Sequence, residues 1–205
     1  LRRHEPETLV RADRVVDVAA YIVHKLTGHW RTSWASADPM GVLDMRTFDY
    51  DDDLLAAAGL RREQLPDLHP PGAVLGEIPT ALAADLGLPH GVPVVAGVGD
   101  GQSAGLGTGT VEPGSAYLNL GTGLISGTYS ETYSTGVEYR VMAGGVPRTY
   151  VFETFIGGGT FNISWFVEKF SGVDTRALGL NLSAEQILET AAAQLPTTRL
   201  RSLVV

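Results

Sequence analysis

One segment, residues 93–107, constrains the fold and the chemistry of this chain more than any other. It begins with a short apolar run of strand character, which two glycines interrupt before a single carboxylate, Asp100. The small residues that follow suit a closely packed helix; they are Ser103, Ala104, Gly105 and Gly107. Asp is rare in strands and costly to bury without partners, so Asp100 is predicted to face a ligand. The alternative is that Asp100 caps the next helix.

Two glycine-rich segments downstream have the composition of phosphate-binding backbone. The candidate residues are Gly121, Thr122 and Gly123 in a turn between two strands, and Gly158, Gly159 and Thr160 at the start of a helix. Glycines leave backbone N–H groups uncovered, and a helix N-terminus attracts anions through its free N–H groups and its dipole. Taken alone, the first segment is more typical of a hairpin turn. Together with Asp100, the two segments indicate phosphoryl transfer from a nucleotide.

Three segments, in this order, resemble the C-terminal half of carbohydrate kinases of the FGGY family: residues 97–102 (GVGDGQ), 120–123 (LGTG) and 157–160 (GGGT). Residues 17–28, which end in Leu-Thr-Gly, are similar to a helix in the first half of these kinases. The resemblance extends over nearly the whole chain. It implies ATP-dependent phosphorylation, with Mg²⁺, of a hydroxyl of a small sugar or polyol, and a pentulose such as xylulose is the expected substrate.

The resemblance also implies roles for individual residues. Asp100 is expected to be the general base that takes the proton of the reacting hydroxyl. Asp100, Gly101 and Gln102 are expected to bind the substrate, and the two glycine-rich segments are expected to bind ATP. Glycine at position 101 departs from the Asn or Gln that follows the Asp in family members, which leaves the sugar open. The alternative function is a non-catalytic sugar- or nucleotide-binding module, or an inactive kinase fragment.

The fold class implied by the resemblance is α/β, an actin-like (ribonuclease-H-like) sugar kinase fold; periodicity alone predicts only a mixed α/β sheet. Of the 25 glycines, 7 precede residue 93 and 18 follow it. The predicted domains are therefore residues 1–92, the end of an N-terminal sugar-binding domain, and residues 93–205, the start of a C-terminal nucleotide-binding domain. Helices are predicted over about 8–27, 51–58, 80–86, 160–171 and 183–194, with another from Ser103. Strands are predicted near 93–98, 115–120, 124–130, 137–143, 149–155 and 203–205.

Composition limits the remaining possibilities. A net charge of −8 argues against nucleic acid as the main partner, and the chain has no cysteine for disulfide or thiolate chemistry. No run of 18 apolar residues predicts a membrane span, no metal-ligand spacing predicts a metal site, and the expected location is the cytoplasm. The Asp-x-Gly-Thr turn with which the family begins is missing here. The chain is thus expected to be a fragment, inactive by itself; a homodimer stays open.

Overall fold

The computed structural model describes residues 2–170 and 182–194. Within these ranges the helices are α1 (Pro6–Arg11), α2 (Val18–Thr27), α3 (Trp34–Ala37), α4 (Asp52–Ala58), α5 (Thr80–Asp85), α6 (Asp100–Gly107), α7 (Thr160–Phe170) and α8 (Ala184–Ala193). The strands are β1 (Arg31–Ser33), β2 (Leu43–Asp44), β3 (Asp49–Tyr50), β4 (Asp67–His69), β5 (Val74–Glu77), β6 (Pro93–Val95), β7 (Ala116–Leu120), β8 (Leu124–Ser130), β9 (Arg140–Ala143) and β10 (Tyr150–Ile156).

The chain divides into two compact units. The first comprises Leu1–Leu118 and Ser126–Thr154, and the second comprises Asn119–Ile125 and Phe155–Val205. This division follows tertiary contacts and interleaves segments of the chain, whereas the domains predicted from composition meet at residues 92 and 93. The predicted domain assignment stays a prediction.

Strand pairing gives the first unit its mixed α/β character. The strands β1 and β4 pair in parallel, while β2 pairs with β3, and β5 with β6, in antiparallel ladders. The largest sheet has the strand order β7-β8-β10-β9, with β9 and β10 antiparallel. These last four strands confirm the strands predicted between residues 115 and 155. The strand predicted at 203–205 lies outside the described residues, as does the last residue of the helix predicted over 160–171.

The single helix predicted over residues 8–27 is wrong, because the chain leaves the helical conformation between α1 and α2. The cause is the buried side chain of Gln64, whose Nε2 donates to the carbonyls of Leu9 (2.9 Å) and Ala12 (2.8 Å). The amide of Val15 in turn donates to the Gln64 carbonyl at 2.8 Å. Helix α2 then restarts at Asp17, whose Oδ1 accepts the Ala20 N–H, as expected of an N-terminal cap.

The predicted end of this helix is confirmed. Gly28 follows α2 with a positive φ of 79°, the left-handed conformation that glycine adopts at helix C-termini. The helices predicted over 51–58 and 80–86 are confirmed as α4 and α5.

The main apolar core lies in the first unit and packs α3 against the strands around it. Its buried members are Trp34, Ala35, Ala37, Val42, Leu43, Phe48, Tyr50, Leu55, Leu65, Ala143 and Tyr150. A smaller cluster joins α2 to β5 and the end of β6 through Val23, Leu75 and Ala96. The two clusters hold the chain on both sides of the loop that leads from β6 into α6. Among the described residues, each helix is too short or too polar to span a bilayer.

Candidate active site

Asp100 lies at the start of α6, just after the loop that follows β6. The N-cap position belongs to Gly99, and Asp100 is the first residue of the helix. The predicted start of this helix at Ser103 is therefore three residues too late. The Asp100 side chain is exposed, and its Oδ1 accepts the N–H of Gly101 at 2.9 Å. The carboxylate thus faces solvent at the positive end of a helix, a position that favours negative charge.

The Gln102 side chain anchors the start of α6 to the protein core through hydrogen bonds. It is buried, and Nε2 donates to the carbonyls of Ala35 at 3.4 Å and Ala143 at 3.2 Å. These bonds tie α6 to α3 and β9, so the backbone that carries Asp100 is fixed by the core. The predicted contact of Gln102 with substrate stays a prediction.

Asp38 is a second carboxyl group tied to the same part of β9. It follows α3, and its Oδ2 accepts the N–H of Ala143 at 2.9 Å. Burial raises the pKa of the Asp38 carboxyl from 3.8 to about 6, an effect that the hydrogen bond and the charge of Arg140 partly oppose. The negative charge of Glu153 acts in the same direction as burial. Asp38 therefore keeps its proton to a higher pH than an exposed Asp does.

Glu153 is a buried carboxylate in β10, with 5% of its surface exposed. Its cross-strand partner on β9 is Arg140, and Arg140 Nε lies 2.5 Å from Glu153 Oε2. Opposite charges at paired positions of an antiparallel sheet stabilise each other, and this pairing offsets the cost of burying the carboxylate. The guanidinium of Arg140 itself remains mostly exposed.

Tyr117 packs its ring against α6 at two glycines. A β-carbon placed on Gly105 would lie 3.2 Å from the ring, and one placed on Gly101 would lie 3.5 Å from Tyr117 Oη. Because Gly101 and Gly105 are four residues apart, they occupy one face of the helix. The close packing predicted from the small residues of this segment is therefore realised against Tyr117. Burial raises the pKa of the Tyr117 hydroxyl, and the charges of Glu153 and Asp100 add to this effect.

Sequence reasoning missed Glu153, Tyr117 and Asp38 as members of this region. One signal was available for Glu153, which is the only charged residue of the apolar segment 150–156. A charge in a strand of that kind is expected to be paired. Tyr117 and Asp38 carry no comparable signal, because packing alone brings them close to α6 and β9.

In the second unit, the two predicted glycine-rich segments lie together. The N–H of Gly159 donates to the carbonyl of Thr122 at 2.8 Å, and both the N–H and the hydroxyl of Thr160 donate to the carbonyl of Gly121 at 3.0 Å. A β-carbon on Gly159 would lie only 2.5 Å from that carbonyl oxygen, so glycine is required there. The start of α7 thus shapes the turn, while Thr122 is exposed at its tip.

These residues fit ATP in part. Thr122 is exposed at the tip of the turn, whereas the Gly121 N–H donates to the Gly123 carbonyl at 3.1 Å and the Gly159 and Thr160 donors are already engaged by the turn. The described residues include no group of three His, Cys, Asp or Glu side chains that could hold a metal ion.

Comparison with known proteins agrees with this architecture. Residues 1–107 match the N-terminal domain of the FGGY family of carbohydrate kinases. A xylulose kinase of Escherichia coli (strain K12) is 32% identical over 141 residues, which are 69% of this chain and 29% of the relative. An autoinducer-2 kinase of Yersinia enterocolitica is 28% identical over 203 residues, which are 96% of this chain and 38% of the relative.

The fold is shared with solved sugar kinases. The crystal structure of xylulose kinase from Rhodospirillum rubrum superposes with a TM-score of 0.83 at 26% identity, covering 95% of this chain and 39% of that chain. The chain thus spans between 29% and 39% of the length of these relatives. The α/β, actin-like sugar kinase fold predicted from the sequence is confirmed. The chain belongs to the FGGY family of carbohydrate kinases.

Proposed function

We propose that the protein transfers a phosphoryl group from ATP to a hydroxyl of a small sugar or polyol, with Asp100 as the general base. The observation that carries this proposal is the placement of Asp100, an exposed carboxylate on a helix start that the buried Gln102 amide holds rigid. A base must lie within hydrogen-bond reach of the proton that it takes, so a fixed backbone beneath an accessible carboxylate is what this chemistry requires.

In the proposed reaction, separate parts of the chain bind and deprotonate the sugar and bind the nucleotide. The Asp100 carboxylate accepts the proton of the substrate hydroxyl while that oxygen becomes bonded to phosphorus. ATP, when bound, supplies the phosphoryl group and the ADP leaving group. In the second unit, the turn 121–123 and the helix start 158–160 are proposed to bind the nucleotide phosphates. Mg²⁺ is proposed to accompany the nucleotide.

A pentulose such as xylulose is the proposed substrate. Support comes from the names of the relatives, since xylulose kinases are among both the sequence relatives and the similar structures. The autoinducer-2 kinase match extends over more of this chain, so the substrate that this relative's name gives belongs in the same test. The proposed location is the cytoplasm, where ATP is available, and a homodimer is compatible with this function.

The Asp100→Asn variant of the intact protein tests the assignment of the base. The amide keeps the shape of the side chain but cannot accept the proton, so turnover should fall by about 10²- to 10⁴-fold while ATP affinity is retained. Asp85→Asn, a change of the same kind at the exposed end of α5, should retain full activity. A coupled ADP-release assay with xylulose measures turnover, and more than about a tenth of wild-type kcat in Asp100→Asn would exclude Asp100 as the base.

The nucleotide assignment has its own matched pair of variants. Gly159→Ala would push a methyl group to 2.5 Å from the Gly121 carbonyl and should open the turn, weakening ATP affinity by about tenfold or more. Gly107→Ala serves as the control, because Gly107 lies outside the proposed nucleotide site and its β-carbon would meet nothing within 4 Å. Calorimetric titration with ATP and, separately, with xylulose compares the two. Equal losses of nucleotide and sugar affinity in Gly159→Ala would mean that the turn has only a structural role.

A further inference from the structure

The edge of the largest sheet is bonded to side chains from two other elements at a single residue, Ala143. Among the described strands, β9 ends the order β7-β8-β10-β9, so one side of its backbone faces away from the sheet. Ala143 pairs with Tyr150, and the next residue, Gly144, donates its N–H to the Thr149 carbonyl at 2.8 Å. Because hydrogen-bonded positions alternate along an antiparallel ladder, the N–H and the carbonyl of Ala143 point outward from this edge.

Asp38 and Gln102 bond these two outward-facing groups. Asp38 Oδ2 accepts the Ala143 N–H at 2.9 Å, and Gln102 Nε2 donates to the Ala143 carbonyl at 3.2 Å. Asp38 directly follows α3, and Gln102 lies in the first turn of α6, two residues after Asp100. One residue of β9 therefore links the end of α3 to the start of the helix that carries the proposed base.

Two further contacts from α3 reach the same part of the chain. The carbonyl of Ala35 accepts from Gln102 Nε2 at 3.4 Å, and Ser36 Oγ donates at 3.4 Å to the carbonyl of Gly97, in the loop before α6. Both distances exceed the usual range for hydrogen bonds in proteins, so these contacts are weak. The bond that Asp38 accepts is shorter than either and joins the end of α3 most firmly to β9.

A carboxyl group is a costly acceptor at this place. Burial raises the pKa of Asp38 to about 6, so at neutral pH the folded protein holds a negative charge that is partly removed from water. The charged groups that act on it are Arg140 of β9, which lowers the pKa, and Glu153 of β10, which raises it. In return, a charged acceptor bonds an N–H more strongly than a neutral one does. Such a bond suits a contact that has to keep one position.

We propose that Asp38 is a positioning residue for the phosphoryl transfer, which acts on the start of α6 through Ala143 and Gln102. With Ala143 held in place, the Gln102 amide has a fixed acceptor, and the backbone beneath Asp100 keeps one position. The inference rests on the proposed function, because it takes Asp100 to be the base. A displacement of about 1 Å at a reacting group can cost about a hundredfold in rate, so loss of the Asp38 bond should lower kcat and leave substrate binding nearly unchanged.

Kinetics of Asp38 variants of the intact protein test this proposal in the coupled ADP-release assay with xylulose. Asp38→Ala removes the acceptor and should lower kcat per folded molecule by about ten- to a hundredfold, with KM for xylulose and for ATP changed by less than about threefold. Asp38→Leu, which has the branched shape of Asp without its oxygen atoms, should behave in the same way. Asp38→Asn keeps an acceptor oxygen and should retain kcat within about threefold.

Asp51→Ala is the matched control for the loss of a bonded carboxylate. Asp51 Oδ1 accepts the N–H of Leu54 at 2.8 Å, a bond that is local to the start of α4. The variant should lose stability as Asp38→Ala does, because a helix cap is removed, but should retain wild-type kcat. Thermal denaturation confirms that each variant is folded under the assay conditions. A loss of kcat in Asp51→Ala as large as that in Asp38→Ala would overturn the proposal, because general destabilisation would then explain both.

Amide hydrogen exchange at Ser103 examines the start of α6 without any substrate. The Ser103 N–H donates to the carbonyl of Gly99 at 2.9 Å and so reports on the first turn of the helix. Its exchange should be about tenfold faster in Asp38→Ala and unchanged in Asp38→Asn and Asp51→Ala. If Asp100→Asn keeps its turnover while this pattern of exchange is found, the base is wrong and Asp38 still positions α6.

A double variant, Asp38→Ala with Gln102→Ala, tests the path between Asp38 and α6. If Asp38 acts through Gln102, the double variant should lose no more kcat than the more impaired single variant, because the second change breaks a path that is already broken. Three outcomes overturn the proposal: losses of kcat that add up in the double variant, wild-type kcat in Asp38→Ala when Asp100→Asn has lost its turnover, or unchanged exchange of Ser103 in Asp38→Ala.

Discussion

Asp38 is a carboxyl group whose pKa is raised by folding. Its pKa rises from 3.8 to about 6 because burial disfavours the charged form. Between these two values the folded protein holds a proton that the unfolded chain has lost. The free energy of unfolding therefore falls as pH rises from about 4 to about 6, and the penalty is fully present above pH 6. Below pH 4 both states are protonated and the penalty disappears.

The Asp38→Asn variant should remove this penalty. An amide does not titrate, and its oxygen can still accept the Ala143 N–H. The variant should therefore gain stability over the wild type as pH rises from 4 to 7, by about 1 to 2 kcal/mol given that the side chain is only partly buried. Chemical denaturation at several pH values measures the difference. A constant difference between pH 4 and pH 7 would show that Asp38 does not carry the shifted titration.

At the scale of single residues, the sequence pointed to residues that lie at the end of a helix or a strand. Asp100 stands out in the sequence as an isolated carboxylate after an apolar run and two glycines, and its role as the base stays a prediction. Glu153 and Tyr117 lie within strands, and only the packing of α6 on the sheet brings them to Gly101. Tyr117 and Glu153 lie 16 and 52 positions after Gly101 in the sequence. No local sequence pattern can therefore predict that they contact this glycine.

Helix α6 is positioned by the glycines on the face that meets Tyr117. The ring is confined on its other side as well, since a β-carbon on Gly127 of β8 would lie 2.2 Å from it. The ring therefore has no room to retreat from a larger residue in α6. This confinement keeps the start of the helix, and with it Asp100, close to the sheet.

The Gly105→Ala variant should destabilise the protein, with Gly107→Ala as its matched control in the same helix. The methyl group at position 105 would meet the Tyr117 ring at 3.2 Å, while position 107 has nothing within 4 Å. Gly105→Ala should lower the free energy of unfolding by about 1 to 3 kcal/mol through overpacking. Gly107→Ala should be neutral or stabilising by up to about 1 kcal/mol, because alanine favours helix. Similar stabilities of the two variants would show that Tyr117 does not confine α6.

At the scale of elements, sequence reasoning worked where an element is long and bounded by clear signals. Caps and glycines placed α4, α5 and the end of α2 correctly. It failed for β1 to β5, which have only two to four residues each and are too short for a two-residue alternation to be visible. It also failed between α1 and α2, because the side chain that breaks the helix, Gln64, lies more than 50 residues further along.

At the scale of the whole chain, the dominant electrostatic feature is a net charge of −8. ATP is itself an anion, so the field of the chain repels it at a distance, whereas a neutral sugar is unaffected. The turn 121–123, which is proposed to bind the phosphates, would therefore do so against an unfavourable long-range field.

Ionic strength should therefore affect the two substrates differently. At about 10 mM salt the Debye length is about 30 Å, and at 0.1 M it is about 10 Å, so added salt screens the repulsion between the protein and ATP. The association rate constant of ATP should rise by roughly two- to fivefold over this range, while that of xylulose should stay constant. Stopped-flow fluorescence on the intact protein, with Mg²⁺ held saturating, measures both rates. If ATP associated more slowly as salt was added, a positive local field would dominate at the nucleotide site and backbone donors would not be its main source of affinity.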